Sequence, residues 1–92
     1  MFVLYSLEGC PYSSEAEHMF RESSAPHVVV PVQRRDKERY KVHMSTFPQI
    51  FYATRRKNYL LGGLSDLKRL AALDSCPARV SRKVFAKVKK YF

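Results

Sequence analysis

The sequence predicts an α/β fold in which a mixed four-stranded β-sheet is flanked by helices. Two apolar, β-prone segments, residues 2–6 and 28–32, lie on either side of a segment with helical periodicity at residues 11–23. Two further strand-like segments, residues 49–53 and 58–61, are close enough in the chain to predict an antiparallel hairpin. A β-α-β unit followed by a hairpin and a covering helix builds one mixed sheet.

The helices of the β-α-β part are predicted from spacing and from their ends. In the first helix Ala16, Met19 and Phe20 fall on one face, and the Ser-Ser-Ala-Pro segment at 23–26 ends it. The mixed-charge segment at residues 34–43 predicts a short second helix with a solvated face.

Two more helices are expected after the hairpin. Gly62 and Gly63 turn the chain into a helix at residues 65–73, which Ser65 can cap. The Asp-Ser-Cys-Pro segment at 74–77 interrupts the pattern, and an amphipathic basic helix follows. We expect residues 74–92 to pack on a single domain that spans residues 1–92, the alternative being a helix that binds a partner or a membrane. Its apolar positions are Val80, Val84, Phe85, Val88 and Tyr91.

Composition narrows the class of protein only modestly. The chain has 92 residues, enough for one domain, and no apolar segment reaches the length of about 18 residues that a membrane span needs. Ser6, Glu8 and Gly9 interrupt the first apolar run before it could serve as a signal-peptide core. We therefore expect a cytoplasmic, reducing location and no membrane association.

The cysteine and histidine content predicts neither a disulfide framework nor a metal site. Cys10 and Cys76 are the two cysteines, and the three histidines are scattered at positions 18, 27 and 43 without zinc-ligand spacing.

A formal net charge of +9 is the unusual bulk property. A basic surface that aids solubility would account for it, as would steering of an anionic ligand or docking on an acidic protein, a nucleic acid or a membrane. From the sequence we do not expect nucleic acid to be the partner. The uncompensated cations of the last sixteen residues are Arg79, Arg82, Lys83, Lys87, Lys89 and Lys90.

Cys10 is the candidate nucleophile, because it follows a strand and immediately precedes a helix. Unpaired backbone N–H groups and the helix dipole stabilise a thiolate at that position. Pro11 suits the first helical turn, where its missing N–H costs nothing.

Three motifs in order resemble those of the glutaredoxin family. They are Cys-Pro-Tyr-Ser at 10–13, Thr-Phe-Pro-Gln-Ile-Phe at 46–51 and Gly-Gly-Leu-Ser-Asp-Leu at 62–67. The resemblance implies a thioredoxin-like fold and an oxidoreductase of the monothiol type, since Ser13 stands where the family usually has a second cysteine. Cys76 is not expected to replace it as a resolving thiol.

The same resemblance implies a set of site residues. Cys10 would attack glutathione mixed disulfides, and Pro11, Tyr12 and Ser13 would complete the active-site motif. Pro48 would be cis and face Cys10. The glutathione-binding candidates are Tyr12, Phe47, Pro48, Leu64, Ser65 and Asp66.

One basic residue of the family pattern is missing. Leu7 occupies the position, three residues before the cysteine, where a lysine or arginine commonly pairs with the glycine carboxylate of glutathione. Arg34, Arg35 or Lys37 could supply that charge instead.

The leading functional hypothesis is a glutathione-dependent thiol–disulfide oxidoreductase that acts in deglutathionylation and electron transport. Its partners would be glutathione, as co-substrate, and glutathionylated proteins or small disulfides, and the protein would be a monomer. One alternative is an iron–sulfur carrier, against which Pro11 argues because such relatives usually have glycine or serine there. The other is an interaction module whose basic C-terminal helix binds an acidic partner.

Overall fold

The structure, a computed structural model, describes residues 1–72 and 80–92. Its elements follow the predicted order of strands and helices. They are β1 (Phe2–Leu7), α1 (Pro11–Glu22), β2 (His27–Val32), a 3₁₀ helix (Arg34–Tyr40), β3 (Gln49–Ala53), β4 (Asn58–Gly62), α2 (Leu64–Ala72) and α3 (Arg82–Lys89).

The four strands form one mixed sheet in the order β2-β1-β3-β4, which confirms the predicted fold class. β1 pairs with β2 in parallel and with β3 antiparallel, and β3 and β4 form the predicted antiparallel hairpin. In this register Tyr5 lies opposite Gln49, whereas Phe2 lies opposite Tyr52. The end of β1 and the start of β3 therefore lie side by side at one end of the sheet, and the candidate site is located at this end.

The core lies on the face of the sheet that α1, α2 and α3 cover. Phe2 and Leu4 point to that face from β1 and are fully buried, as are Ala16 and Phe20 on α1. The rings of Phe2 and Phe20 lie 5.3 Å apart. The apolar spacing of the first helix thus marks its buried face.

Helix α3 contributes Val84 and Val88 to the same core. Its first turn is capped by the Ser81 hydroxyl, which accepts a hydrogen bond of 3.3 Å from the Val84 N–H. Lys89 Nζ donates to the carbonyl oxygen of Leu70 at 2.8 Å. This bond satisfies a carbonyl group in the last turn of α2 and connects the two helices.

Residues 34–43 do not form the α-helix that the sequence predicts. They form a 3₁₀ helix that ends at Tyr40 and buries none of its side chains. The physical reason is composition, because Arg34–Tyr40 contains a single large apolar side chain and cannot present an apolar stripe to the sheet. Val28 on the edge strand β2 is 44% exposed.

Helix α2 begins one residue earlier than predicted, at Leu64, so that Ser65 lies inside the first turn and is not the N-cap. The Asp66 carboxylate Oδ2 accepts a hydrogen bond of 2.9 Å from the Gly63 N–H, in the manner of a capping box. An aspartate three residues after the cap position reaches back to the backbone, which Ser65 cannot do from its place. The predicted interruption at residues 74–77 lies outside the described residues.

None of the helices in the described ranges is both long and apolar enough to cross a lipid bilayer.

Candidate active site

A tight turn carries Cys10 from the end of β1 to the start of α1. The Cys10 N–H donates to the Leu7 carbonyl oxygen at 3.1 Å, and Gly9 adopts φ of +74°, a left-handed conformation that favours glycine. Cys10 is the N-cap of α1 in an extended conformation, and Pro11 is the first helical residue. The half-buried thiol therefore lies at the positive end of the helix, as the sequence predicts.

The surroundings of Cys10 favour its thiolate. Burial alone raises the pKa of the thiol, but hydrogen bonds from the Ser13 N–H, the Ser13 hydroxyl and the Tyr12 N–H, together with the charge of Arg34, outweigh burial and bring the pKa below its ordinary value. A lowered pKa increases the thiolate fraction near neutral pH, and the thiolate is the form that attacks a disulfide.

Ser13 has a positive role that the sequence did not suggest. Its side chain is fully buried, and its hydroxyl oxygen accepts a hydrogen bond of 3.1 Å from the Leu7 N–H. The hydroxyl hydrogen is then available to the Cys10 sulfur, the interaction that helps to lower the cysteine pKa. Ser13 thus provides a hydrogen-bond donor that stabilises the nucleophile.

We expect Ser13→Ala to raise the pKa of Cys10, because the thiolate loses one hydrogen bond while its burial and backbone contacts remain. Titration of the ultraviolet absorbance of the thiolate, paired with the pH dependence of alkylation, measures the shift. Ser14→Ala is the matched control, since Ser14 is exposed one residue further along α1. Identical titration curves for Ser13→Ala and the unmodified protein would show that the hydroxyl does not act on the sulfur.

The structure distinguishes between the adjacent candidate basic residues Arg34 and Arg35. Arg34 Nη2 donates to the Gly9 carbonyl oxygen at 3.5 Å, which places its guanidinium beside the turn that carries Cys10. Arg35 is directed to Asp36, with 3.9 Å between Nε and Oδ2, and its side chain is 80% exposed. Of these two neighbours, only Arg34 lies in a position to act on a ligand of Cys10.

The remaining candidates converge on one groove. Tyr12, Phe47, Pro48, Leu64 and Asp66 all line it, together with Ser65. The Phe47–Pro48 peptide bond is cis, as the resemblance implies. The groove has a volume of about 560 Å³, within the range of about 300–1,000 Å³ typical of small-ligand sites. Sequence reasoning did not assign four further lining residues, Met44, Thr46, Gly63 and Lys68.

Two parts of the groove have opposite electrostatic character. The first turn of α2 presents backbone N–H groups that suit a carboxylate. The Asp66 carboxylate, held by the Gly63 N–H, lies in the same turn and suits an ammonium group. Lys68 on α2 pairs with Glu15 on α1, with 2.9 Å between Nζ and Oε1, and connects the two helices that bear the site.

Gln49 is a positioning residue that the sequence motif contained without showing its role. It is 2% exposed, and its Nε2 donates to the carbonyl oxygens of Tyr40 at 2.8 Å and Met44 at 3.2 Å. These bonds tie the segment before Pro48 to the start of β3.

Within residues 1–72 and 80–92, no three His, Cys, Asp or Glu side chains come together in a way that could hold a metal ion.

A cysteine at the N-terminus of the first helix of this mixed sheet, with a groove that contains a cis-proline, defines a thiol oxidoreductase of the thioredoxin-like fold. The family model of the glutaredoxins matches residues 2–56, which is more than half of the chain. The chain therefore belongs to the glutaredoxin family. The match includes the Cys10–Ser13 motif and Pro48, and it ends before α2. Comparison with curated proteins gave no match.

Proposed function

We propose that this protein reduces glutathione mixed disulfides through Cys10 alone, with glutathione as co-substrate. The observation that carries this proposal is the groove itself. It extends from Tyr12, two residues after the nucleophile, past the cis peptide bond at Pro48 to the first turn of α2. Its size and its arrangement of charge suit a small peptide with a carboxylate and an ammonium group at one end, and the γ-glutamyl end of glutathione has both.

The proposed reaction consists of two thiol–disulfide exchanges. In the first, the Cys10 thiolate attacks the glutathione sulfur of a mixed disulfide, and the substrate leaves as a thiolate while Cys10 becomes disulfide-bonded to glutathione. In the second, the thiolate of another glutathione attacks the glutathione sulfur of that intermediate, so that oxidised glutathione is released and the Cys10 thiolate is regenerated. Each exchange breaks one S–S bond and forms one, and the pair of electrons comes from glutathione.

Each part of glutathione has a proposed contact. The backbone of Phe47 would pair with the cysteinyl part as a short strand does, and the first turn of α2 with Asp66 would bind the γ-glutamyl end. Arg34 would bind the glycine carboxylate and so replace the charge that Leu7 lacks. The structural support for Arg34 is its contact with the Gly9 carbonyl oxygen, next to Cys10.

The monothiol cycle follows from Ser13, which cannot form an intramolecular disulfide. We propose that residues 1–92 act as one domain and as a monomer, because Val84 and Val88 of α3 are buried in the same core as β1 and α1. A reducing compartment such as the cytoplasm would supply the glutathione that the cycle consumes. Glutathionylated proteins and small glutathione disulfides would be the substrates.

Reduction of a glutathionylated peptide at increasing peptide concentration and saturating glutathione tests this proposal. We expect Arg34→Gln to raise KM for the glutathionylated peptide about tenfold, which corresponds to the loss of about 1.4 kcal/mol from one charge-assisted contact. Arg35→Gln is the matched control. It removes the same charge from the neighbouring residue, whose side chain is exposed and faces Asp36. We expect its KM to change less than about twofold, and equal changes in the two variants would refute the assignment to Arg34.

A further inference from the structure

Two segments of the described chain contain cations without any acidic residue. The first is the β3–β4 turn, where Arg55, Arg56 and Lys57 are all exposed. The second is residues 80–92, where Lys83, Lys87 and Lys90 are exposed. We call these six residues the distal basic surface. None of the six forms a salt bridge with a carboxylate anywhere in residues 1–72 and 80–92.

The basic residues of the 3₁₀ segment behave differently. Arg39 lies 3.9 Å from an Asp36 oxygen, and Lys41 Nζ lies 3.0 Å from a Glu38 oxygen. That segment therefore balances part of its own charge. The distal basic surface does not, and it accounts for much of the net positive charge of the chain.

The β3–β4 turn lies at the end of the sheet opposite Cys10. β1 begins beside this turn, where the Ala53 N–H donates to the Met1 carbonyl oxygen at 2.7 Å, and it ends at Leu7 near the nucleophile. Six residues of extended chain separate the two ends by roughly 20 Å.

Aromatic rings connect the turn to the end of α3. Phe2 contacts the ring of Tyr52 on β3 at 5.2 Å and that of Tyr91 after α3 at 5.8 Å. Lys57 Nζ lies 5.2 Å from the centre of the Tyr59 ring, and Lys90 Nζ lies 5.2 Å from that of Tyr91. The end of α3 and the β3–β4 turn therefore lie at the same end of the sheet, and each has a partly exposed tyrosine beside one of its lysines.

The burial of α3 argues against a lipid surface as the partner. A helix that binds at a membrane interface inserts its apolar face among the lipids. In α3 this face is occupied, since Val84 is 5% exposed and Val88 is fully buried in the core. The exposed residues of α3 are cations and Ala86, and its one phenylalanine, Phe85, is half-buried against the core.

We propose that the distal basic surface binds nucleic acid. A phosphodiester backbone presents closely spaced negative charges that can meet cations from the turn and from α3 at once, with release of condensed counterions. Tyr59 and Tyr91 are partly exposed beside these cations, and a base that stacks on either ring would take the place of the lysine ammonium near it. Because the surface lies away from Cys10, a bound strand would leave the glutathione groove open, and the oxidoreductase would act while docked.

Fluorescence anisotropy of a short labelled oligonucleotide, as a single strand and as a duplex, tests this proposal with the full chain. We expect Kd of about 10⁻⁶ to 10⁻⁴ M at physiological salt, weakening steeply as salt rises. The combined variant Arg55→Gln, Arg56→Gln, Lys87→Gln and Lys90→Gln should bind at least about tenfold more weakly. Its plot of log K against log salt should be flatter by about 3 for the single strand and nearly 4 for the duplex, since each of four lost phosphate contacts contributes about 0.7 or about 0.9.

The matched control removes the same number of charges from the 3₁₀ helix and the residue that follows it, as Arg35→Gln, Lys37→Gln, Arg39→Gln and Lys41→Gln. We expect its affinity to fall less than about threefold, because three of these cations already face Asp36 or Glu38. Circular dichroism verifies the folding of both variants, and the distal variant should retain thiol transfer. Equal losses in the two variants would overturn the location of the surface.

Two further probes decide the class of partner. One probe is a vesicle that contains phosphatidylserine, and the other is a polyglutamate peptide in solution. Both present negative charge without nucleotides. Weaker binding of both than of the oligonucleotide, at the same salt, supports the proposal. Equal or tighter binding of either probe, or no binding of the oligonucleotide even at low salt, overturns it.

Discussion

Replacing Cys10 with serine is expected to abolish glutathione-dependent reduction of a glutathionylated peptide, down to the uncatalysed rate. A disulfide exchange needs a sulfur nucleophile, and a serine hydroxyl stays protonated at neutral pH and forms no mixed disulfide with glutathione. All other groups of the site remain, including the groove and the Ser13 hydrogen bonds. Initial rates at equal protein concentration measure the effect.

Cys76→Ser is the control for this experiment, because it removes the other thiol of the chain. A monothiol cycle through Cys10 predicts turnover close to that of the unmodified protein. Turnover that survives Cys10→Ser, or that disappears with Cys76→Ser in a folded protein, would contradict the assignment of the nucleophile.

Phe2→Ala is expected to lower the free energy of unfolding by about 3–5 kcal/mol, the usual range for removal of a buried phenylalanine. Phe2 is fully buried, and its ring contacts those of Phe20, Tyr52 and Tyr91 at 5.2 to 5.8 Å, as well as that of Phe92. The truncation would leave a cavity between the sheet, α1 and the residues that follow α3. Urea denaturation followed by circular dichroism measures the change.

Tyr12→Ala is the stability control, since Tyr12 is an aromatic residue that is 65% exposed. We expect it to change the free energy of unfolding by no more than about 0.5 kcal/mol. A loss below about 1 kcal/mol for Phe2→Ala, with an unchanged denaturant slope, would mean that Phe2 does not hold the sheet and the C-terminal segment together.

The strands and their succession along the chain could be predicted because their signals do not depend on tertiary structure. The apolar runs in β1 and β2 and the short hairpin connection define a mixed sheet with few alternatives. The 3₁₀ segment could not be predicted as such. Charges at helical spacing are compatible with a solvent-exposed α-helix and equally with a short 3₁₀ helix. The absence of an apolar stripe in Arg34–Tyr40 is the physical feature that decides between the two.

The motifs predicted which residues lie together but not the direction of their side chains, and the role of these residues in binding glutathione stays a prediction. Tyr12, Phe47, Pro48 and Asp66 belong to one groove, as their motifs implied. Arg34 and Arg35 are adjacent in sequence, and only the turn geometry shows which one faces Gly9.

The roles of Ser13 and Gln49 were similarly out of reach of the sequence. Both are hydrogen-bonded to backbone groups from other parts of the chain, and these partners become neighbours only when β1, α1 and β3 assemble.

The most direct test of the central claim is a single turnover without added glutathione. The protein is mixed with a glutathionylated peptide, and mass spectrometry follows both products. We predict that one glutathione becomes disulfide-bonded to Cys10 while an equal amount of free peptide thiol is released, faster as pH rises through the lowered pKa of Cys10. If instead the folded protein acquires no glutathione on Cys10, or acquires the peptide in its place, the proposed glutathione mechanism is wrong.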